Sequence, residues 1–378
     1  MIVHAAERQH MEGWVRVTYR LDWADTTRPP LNLYFEVPEE WASLLHTGPE
    51  PGLMAALFPA LAGREVLRTD VPVSSRFAYG LKQFAAYFSL HFPGALQFSG
   101  LEAPRAVAPA HPRQSTGVFF SGGVDSFYTV FCHRPEREPD PRYHLRHAIF
   151  VQGMDLSLDQ KLFYERTGHR FQPVVESLGM QLIRVRTNVK TLLDHSFHWL
   201  YSHGAALLSI AHLLSGGLGR IFIASTNRFS VVQPPIGSNP ITDPWPSSER
   251  LEILHHGCEA SRMMKVNTIA GWPPAMEHLR VCWQRHDQDL NCGVCPKCQR
   301  TQLMLWAANQ TPACTTFPPG FDPFAVPADL FAKRSGARDL PELSFAEEWL
   351  QNVRMTHPAS FRRAVRLTRP RRWPWGRG

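Results

Sequence analysis

One six-residue stretch of the chain combines glycines, hydroxyls and an acid in an order that suits anion binding. Residues 121–126, with the sequence SGGVDS, follow the apolar run 117–120 and precede a helical pattern of apolar residues. Glycines allow positive φ and a close approach of the backbone to a ligand, and the free N–H groups of a helix start attract negative charge. A Walker loop is excluded because no lysine precedes Ser126. We therefore predict a phosphate site at this turn.

Four of the seven cysteines lie in one short segment. They are Cys282, Cys292, Cys295 and Cys298. Four thiolates close a tetrahedral Zn²⁺ site and leave no open position, so we predict a structural zinc ion. An iron–sulfur cluster and a redox cysteine set are the alternatives. The cations near these cysteines in sequence, which would offset the charge of a zinc tetrathiolate, are Arg280, Arg285, Lys297 and Arg300.

Together the two motifs resemble one enzyme family. The turn at 121–126 is similar to the loop of the PP-loop ATP pyrophosphatases. The segment 292–298, which reads CGVCPKC, follows Cys282 and Trp283 as it does in 7-cyano-7-deazaguanine synthase, a member of that superfamily. Lys265 also stands where that family has a lysine. The resemblance spans roughly residues 115–305. It implies an α/β fold with a Rossmann-like doubly wound parallel sheet and a zinc-binding extension.

The resemblance also implies a reaction. In that family ATP adenylates the carboxylate of 7-carboxy-7-deazaguanine, ammonia gives the amide, and a second ATP drives dehydration to the nitrile. The chain is therefore expected to be an ATP-dependent carbon–nitrogen ligase that uses ATP, Mg²⁺ and a nucleobase-like or other small carboxylate acceptor. Relatives encoded in bacterial defence and natural-product operons apply the same activation to other acceptors. The acceptor is left open.

We assign cofactor binding and catalysis to two sets of residues. The residues expected to hold the nucleotide are Ser121, Gly122, Gly123, Val124, Asp125, Ser126 and Gly153. The candidate catalytic residues are Asp125, Arg262, Lys265 and Asp243. Asp125 could bind Mg²⁺ or could instead stabilise a helix start as a first-turn acid. Arg262 and Lys265 would neutralise charge on the leaving pyrophosphate.

Two other functions stay open on the sequence. A sulfur transferase of the same fold needs a thiolate nucleophile, and the cysteines left after the zinc set are Cys132, Cys258 and Cys314, none in a paired motif. A non-catalytic nucleotide-binding or nucleic-acid-binding protein would use the zinc segment and the basic tail.

Strands and helices alternate after residue 115, which predicts a parallel sheet. Further strands are predicted at 148–152, 182–185 and 221–224, and helices at 197–214 and from the capping box 157–160 to near Gly179. Ligands of such sheets lie beyond the carboxyl ends of the strands. The loops expected there are 121–126, 152–155, 187–188 and 225–228, and a proline-dense loop at 234–246 carries Asp243.

The first hundred residues carry no recognisable catalytic pattern. Alternating apolar residues at 15–23 and 31–37 predict a β-hairpin, 76–88 predicts a helix, and 104–112 reads as a linker. The predicted domains are therefore 1–110, a small α+β domain of unknown role, 111–310, the ATP-binding domain with the zinc segment, and 311–378, a helical extension with a basic tail. A capping box at 344–347 predicts a last helix in that extension.

Composition and charge limit the class of protein. Hydrophobic residues make up 44% and charged residues 19% of the 378 residues, which is typical of a globular protein. No apolar run reaches the length of a membrane span, and residues 1–14 are too polar for a signal peptide, so we expect a cytoplasmic protein. Eight arginines and no acids lie in 351–378, so the net charge of +7 resides in the tail. Nucleic acid is an optional partner for that tail, and a homodimer is one option for assembly.

Overall fold

The computed structural model of this chain describes residues 1–106, 115–231, 235–284, 290–331 and 345–368. Some positions named above lie outside these ranges. They are 107–112 of the predicted linker, Pro234, Arg285, Ser344 of the predicted capping box, and the tail arginines Arg369, Arg371, Arg372 and Arg377.

The described residues alternate between strands and helices along most of their length. The strands are β1 (Ile2–Val3), β2 (Glu7–Met11), β3 (Trp14–Asp22), β4 (Leu31–Pro38), β5 (Leu67–Arg68), β6 (Val73–Ser74), β7 (Leu101–Glu102), β8 (Arg105–Ala106), β9 (Ser115–Phe119), β10 (His147–Gln152), β11 (Gln181–Thr187), β12 (Leu218–Ala224) and β13 (Glu252–His256). The α-helices are α1 (Glu50–Gly63), α2 (Ser75–His91), α3 (Val124–Cys132), α4 (Lys161–Ser177), α5 (Val189–Asp194), α6 (Trp199–Leu213), α7 (Arg262–Ile269), α8 (Pro273–His278), α9 (Pro296–Ala307), α10 (Phe345–Thr356) and α11 (Phe361–Thr368). Short 3₁₀ helices lie at Glu39–Leu44, Pro141–Tyr143, Leu214–Gly216, Phe229–Val231, Ala328–Phe331 and Pro358–Ser360.

A mostly parallel sheet joins eleven of the described strands. Its order is β13-β12-β9-β10-β11-β4-β3-β1-β5-β7, with β2 beside β3. The strands from β13 to β11 are parallel, and Val118 lies between Ala148 of β10 and Phe222 of β12. At the other side of β11, Thr187 pairs with Phe35 of the antiparallel strand β4. The predicted mixed α/β class with a parallel sheet is confirmed at this level.

The N-terminal strands continue this sheet. The predicted hairpin is confirmed by the antiparallel pairing of β3 with β4, and along β3 the alternate residues Val15 to Leu21 are buried because successive side chains point to opposite faces. Phe35 of β4 shares one buried cluster with Ile149 and Ile183 of the parallel strands. The first of two compact units is 1–121, 129–225 and 232–258.

Two helix starts illustrate what local sequence controls. The predicted helix at 76–88 is confirmed as α2, whose N-cap Ser74 accepts the backbone N–H of Phe77 at 3.0 Å. The prediction that the capping box at 157–160 opens a helix is wrong. The Gln160 side chain does accept the Ser157 N–H at 3.1 Å, but α4 begins at Lys161, so the box forms a turn ahead of the helix.

The second compact unit is 122–128, 226–231 and 259–378. In its described part the helix predicted at 344–347 is confirmed as α10. Trp349 of α10 is fully buried, and its indole N–H donates to the Leu303 carbonyl of α9 at 2.9 Å. Trp306 stacks on His357 with 4.2 Å between ring centroids. Among the described residues of the chain, no helix combines the length and apolarity needed to cross a membrane.

Candidate functional site

The glycine turn has the local conformation that the sequence predicts. Strand β9 ends at Phe119 and helix α3 begins at Val124, so the turn joins a strand directly to a helix. Gly122 has φ +73°, a conformation that favours glycine. The Ser126 hydroxyl donates to the Gly123 carbonyl at 3.0 Å. The first turn of α3 therefore brings N–H groups and a hydroxyl to the end of the strand.

Asp125, Arg262 and Lys265 come together in the second unit. The Arg262 guanidinium donates to Asp125 Oδ2 at 2.5 Å, and Lys265 Nζ lies 3.5 Å from Asp125 Oδ1. Ser261 caps α7 by accepting the Met264 N–H at 3.2 Å. Because residues three apart share a helix face, the first turn of α7 presents both cations to one carboxylate. Three of the four candidate catalytic residues therefore form one cluster.

Burial makes this cluster electrostatically strong. The Lys265 side chain has no exposed surface, and the side chains of Asp125 and Arg262 are 17% and 24% exposed. Charges interact more strongly where water is excluded. Lys265 Nζ also lies 5.7 Å from the centroid of the Tyr128 ring. The cluster therefore holds two cations and one acid in a partly dry environment next to a helix start.

The sequence analysis did not single out Tyr128 or Glu259, and it placed Arg280 only near the cysteines. The Arg280 backbone N–H donates to the Gly122 carbonyl at 2.7 Å, and the Tyr128 hydroxyl donates to Glu259 Oε1 at 2.7 Å. The first bond ties the segment ahead of the cysteines to the glycine turn, and the second ties α3 to the segment ahead of α7. Neither contact has a local sequence signal, because the partners are more than a hundred residues apart in the chain.

Gly153 lies in the first unit, at the end of β10, and its position is explained by packing. It has φ +97°, and a Cβ added there would lie 1.7 Å from the Thr187 carbonyl oxygen at the end of β11. Its N–H donates to the Leu156 carbonyl at 2.6 Å. A glycine is therefore required for the two strand ends to approach, whether or not a nucleotide binds.

Asp243, the fourth candidate catalytic residue, has its hydrogen-bond partners within the first unit. The residue is fully buried in the first unit. Its Oδ2 accepts the Ser238 hydroxyl at 2.7 Å and faces His255 Nδ1 at 2.8 Å, while Oδ1 accepts the Asn239 N–H at 3.2 Å. These bonds fasten the proline-dense loop to β13. The carboxylate bonds to groups of the loop and of β13, which explains why a loop with so many prolines has a defined conformation.

His255 is the partner of Asp243 and has a raised pKa. Burial lowers the pKa of the His255 imidazole, but the hydrogen bond to Asp243 and the influence of the Cys258 thiol outweigh that effect and raise the pKa to about 9. The thiol lies 3.0 Å from the Ser225 hydroxyl and is 2% exposed. The sequence analysis did not pair Asp243 with His255, because the two are recognisable as partners only once β13 and the loop are in place.

The four predicted metal ligands converge in the second unit. Their sulfur atoms all lie within 4.8 Å of one another, with 4.0 Å between Cys282 and Cys295 and 3.8 Å between Cys292 and Cys298. Zn–S bonds of about 2.3 Å in a tetrahedron place thiolates about 3.8 Å apart. The set therefore fits a metal ion such as zinc.

Backbone N–H groups prepare the thiolates for a cation. The Cys295 N–H donates to the Cys292 sulfur at 3.2 Å, and the Cys298 N–H donates to the Cys295 sulfur at 3.4 Å, at the start of α9. Burial alone would raise the pKa of the Cys292 thiol, but the N–H groups of Cys295 and Val294 lower it to about 6. Cys292 is thus ready to ligate a metal at neutral pH.

A buried asparagine that the sequence analysis did not single out supports the cysteine loop. Asn291 has no exposed surface, and its Oδ1 accepts the N–H groups of Val281 and Cys282 at 2.8 and 3.1 Å. Its amide donates to the Leu279 carbonyl at 2.7 Å. Asn291 therefore joins the segment carrying Cys282 to the segment carrying the other three ligands.

One of the cations expected to offset the thiolate charge has another role. Arg300 donates to the Leu330 carbonyl at 3.0 Å and lies over the Phe345 ring at 5.2 Å. It therefore packs the C-terminal extension onto α9.

Comparisons of the chain with protein-family models, with curated proteins and with solved structures give no match.

Proposed function

We propose that this chain uses ATP to adenylate a carboxylate and then joins the activated acyl group to a nitrogen nucleophile, releasing AMP and pyrophosphate. The observation that carries the proposal is the cluster formed by Asp125, on the helix that starts from the glycine turn, with Arg262 and Lys265 of α7. Two cations beside a helix N-terminus form a place for a polyphosphate, since both attract negative charge.

The order of the parallel strands supports this proposal. Taken in chain order from β9 to β13, the five parallel strands are arranged 3-2-1-4-5 across the sheet. This is the arrangement of doubly wound folds, whose ligands bind outside the carboxyl ends of the strands where the order reverses, here between β9 and β12. The glycine turn follows β9 directly. We therefore propose that the chain belongs to the PP-loop ATP pyrophosphatases, as its motifs suggest.

Each residue of the turn has a chemical role in this proposal. The N–H groups at 122–126 and the Ser126 hydroxyl would hold the β- and γ-phosphates, and Asp125 would bind Mg²⁺, which prefers carboxylate and phosphate oxygens. Arg262 and Lys265 contact Asp125 and would lie beside a phosphate bound at the turn. As pyrophosphate leaves, these cations would stabilise the growing negative charge.

The acceptor proposed first is 7-carboxy-7-deazaguanine or a related nucleobase-like carboxylate, with ammonia as the nitrogen donor. The support for this choice is the combination of the glycine turn with the Cys₄ set. The cysteine set has no open ligand position when four thiolates bind a metal, so we assign it a structural role. The chemistry then rests on positioning and electrostatics, which can supply a large part of the rate.

The test is a product assay with the metal-loaded full chain. Incubation with ATP, Mg²⁺, ammonia and 7-carboxy-7-deazaguanine should give AMP, pyrophosphate and an amide or nitrile product by mass spectrometry. Lys265→Met should lose this activity, and Lys82→Met, which changes an exposed lysine of α2, should retain it. Absence of AMP with this acceptor and with a panel of other carboxylates, or formation of ADP and phosphate instead, would contradict the proposal.

Sulfur transfer is the second candidate because Cys258, a cysteine outside the metal set, lies two residues after β13, and its thiol contributes to the raised pKa of His255 in that strand. In that reaction a sulfur nucleophile would displace the adenylated oxygen. Replacing Cys132, Cys258 and Cys314 together by serine separates the candidates. Retained product formation eliminates sulfur transfer, whereas AMP formation that continues without product favours it.

A further inference from the structure

A cavity of about 430 Å³ lies in the first unit, beside the loop of the N-terminal hairpin. One wall is formed by that loop, residues 23–30, and by the start of β4, and the other wall is formed by residues 188–196 around α5. The volume is within the range of pockets that bind small organic molecules. None of the described residues that line the cavity belongs to the ATP proposal or to the cysteine set.

The walls of the cavity are mostly apolar. The loop and the start of β4 contribute Trp23, Pro29 and Leu31, and α5 contributes Leu192, which is 7% exposed. Apolar walls favour an apolar ligand body, because binding removes the apolar surfaces of both from water.

An asparagine joins the two walls. Asn188 Oδ1 accepts the Tyr34 N–H at 2.9 Å, and the Asn188 amide donates to the Asn32 carbonyl at 2.8 Å. Asn188 directly precedes α5, and Asn32 and Tyr34 lie in β4. The walls are therefore held together by bonds within the protein, so a ligand does not have to order them when it binds.

Arg28 is the one permanently charged side chain among the described residues that line the cavity. Its Cζ lies 3.4 Å from the centroid of the Trp23 ring, which is the distance of flat stacking. Stacking occupies the face of the guanidinium and leaves the N–H groups in its plane for an anion. Arg28 forms no ion pair with the residues that the structure describes. The acid of the same loop, Asp25, accepts the Thr27 N–H at 3.0 Å and the Thr27 hydroxyl at 2.7 Å.

We propose that this cavity binds a small organic carboxylate with an apolar body. The carboxylate accepts two parallel hydrogen bonds from the Arg28 guanidinium, whose planar fork matches its geometry. The apolar body lies against Leu31 and Leu192. One arginine balances the single charge of a carboxylate, whereas a phosphate dianion would leave one charge without a partner beside apolar walls.

This inference goes beyond the ATP proposal and does not depend on it. The cavity lies in the first unit, and binding is measured without ATP. Failure of the adenylation assay therefore leaves the carboxylate site standing, and failure of carboxylate binding leaves the adenylation proposal standing.

The test is calorimetric titration of the full chain with 2-naphthoate and with 2-naphthamide, which has the same rings and no charge. We expect one 2-naphthoate per chain with a Kd on the order of 0.1–1 mM, in keeping with the size of the ligand. The amide should bind more than tenfold more weakly. Arg28→Gln should weaken 2-naphthoate binding more than tenfold, and Arg8→Gln, at an exposed arginine of β2 outside the cavity, should leave it unchanged.

A further variant tests the place of binding. Thr191→Trp, at an exposed position of α5 that lines the cavity, fills the space and should abolish binding, with the melting temperature recorded in parallel. If this variant does not fold, Arg28→Gln, at an exposed loop position, decides. The proposal is overturned if the wild type shows no saturable binding of 2-naphthoate, or if the acid and the amide bind equally. It is also overturned if a folded Arg28→Gln or Thr191→Trp protein binds as the wild type does.

Discussion

A lysine without exposed surface must share its charge with a partner, and Lys265 shares it with Asp125 at 3.5 Å. Arg262 contacts the same carboxylate at 2.5 Å, so the cluster holds two cations and one acid. Removing a buried cation from such a cluster changes the electrostatic energy more than removing one from an exposed salt bridge. At the residue scale, we therefore expect function to depend most on this cluster.

Lys265→Met tests the role of this cluster by changing one of its residues. Methionine keeps the apolar length of the lysine side chain but removes the charge, so the stabilisation of leaving pyrophosphate is lost. We expect AMP formation to fall by about 10²–10³-fold, by analogy with the removal of one pre-placed hydrogen-bond donor. The measurement is pyrophosphate release at saturating ATP, with the melting temperature recorded in parallel. A variant that folds and retains more than half of the activity would show that Lys265 is not part of the site.

His255 predicts a pH dependence of stability. Its pKa is raised from the ordinary value of 6.5 to about 9 in the folded protein, so the protonated form is favoured by folding. The stabilisation is complete below about pH 6.5 and is lost as the pH rises through about 9, and its size is on the order of 3 kcal/mol. Urea unfolding of the wild type and of His255→Gln should therefore differ most at pH 6 and least at pH 9.5. A difference that is constant across this range would contradict the assignment.

At the residue scale the sequence was sufficient where chemistry needs a fixed spacing. The four cysteines were found in this way, and they converge as predicted. Arg262, Lys265 and Asp125 were selected by residue type and motif position, and they also meet. The burial of Asp243 was not predicted, because an acid in a proline-dense loop gives no indication of it. His255 is the partner that occupies it, and it lies in a strand that the sequence analysis did not predict.

At the element scale the cysteine loop depends on Asn291, whose oxygen accepts two backbone N–H groups. Asn291→Ala leaves both donors buried without this acceptor. We expect a loss of roughly 2–4 kcal/mol of unfolding free energy and faster release of the bound metal. Zinc transfer to a chromogenic chelator measures the release, and Val294→Ala, at a side chain of the same loop that is 69% exposed, is the control. Equal release rates in the two variants would show that Asn291 does not hold the loop.

Elements with a clear periodic pattern were predicted, and those without one were missed. The hairpin of β3 and β4 and the helix α2 have alternating or amphipathic patterns that the structure follows. Helix α1 was missed because it is buried on almost all sides, so its apolar residues have no period to detect. Strand β13 was missed because its sequence EILHH mixes charged and aromatic residues with apolar ones.

At the scale of the whole molecule, the N-terminal strands and the parallel strands of the first unit share one sheet and one core. The sequence could not show this, because the pairing of β4 with β11 joins residues that are about 150 positions apart. The linker-like composition at 104–112 suggested a domain boundary, and strand pairing places the N-terminal strands and the parallel strands in one sheet.

Phe35→Ala tests this continuity. Phe35 is 1% exposed, so its truncation should cost about 3–5 kcal/mol. Hydrogen exchange measured by mass spectrometry should show that amides of β10 and β11 lose protection together with those of β3 and β4. Leu90→Ala, at a side chain that is 79% exposed, should change neither. Unchanged protection of β10 and β11 in the Phe35 variant would mean that the N-terminal strands form a separate unit.

The central claim is that the glycine turn binds the phosphates of ATP, and a calorimetric titration of the metal-loaded full chain with ATP and Mg²⁺ tests it most directly. We predict saturable binding of one ATP per chain. Gly122→Val should abolish this binding, because a valine at φ +73° would be strained and would distort the turn. A titration that shows no binding, or equal binding by a folded Gly122→Val protein, would contradict the claim.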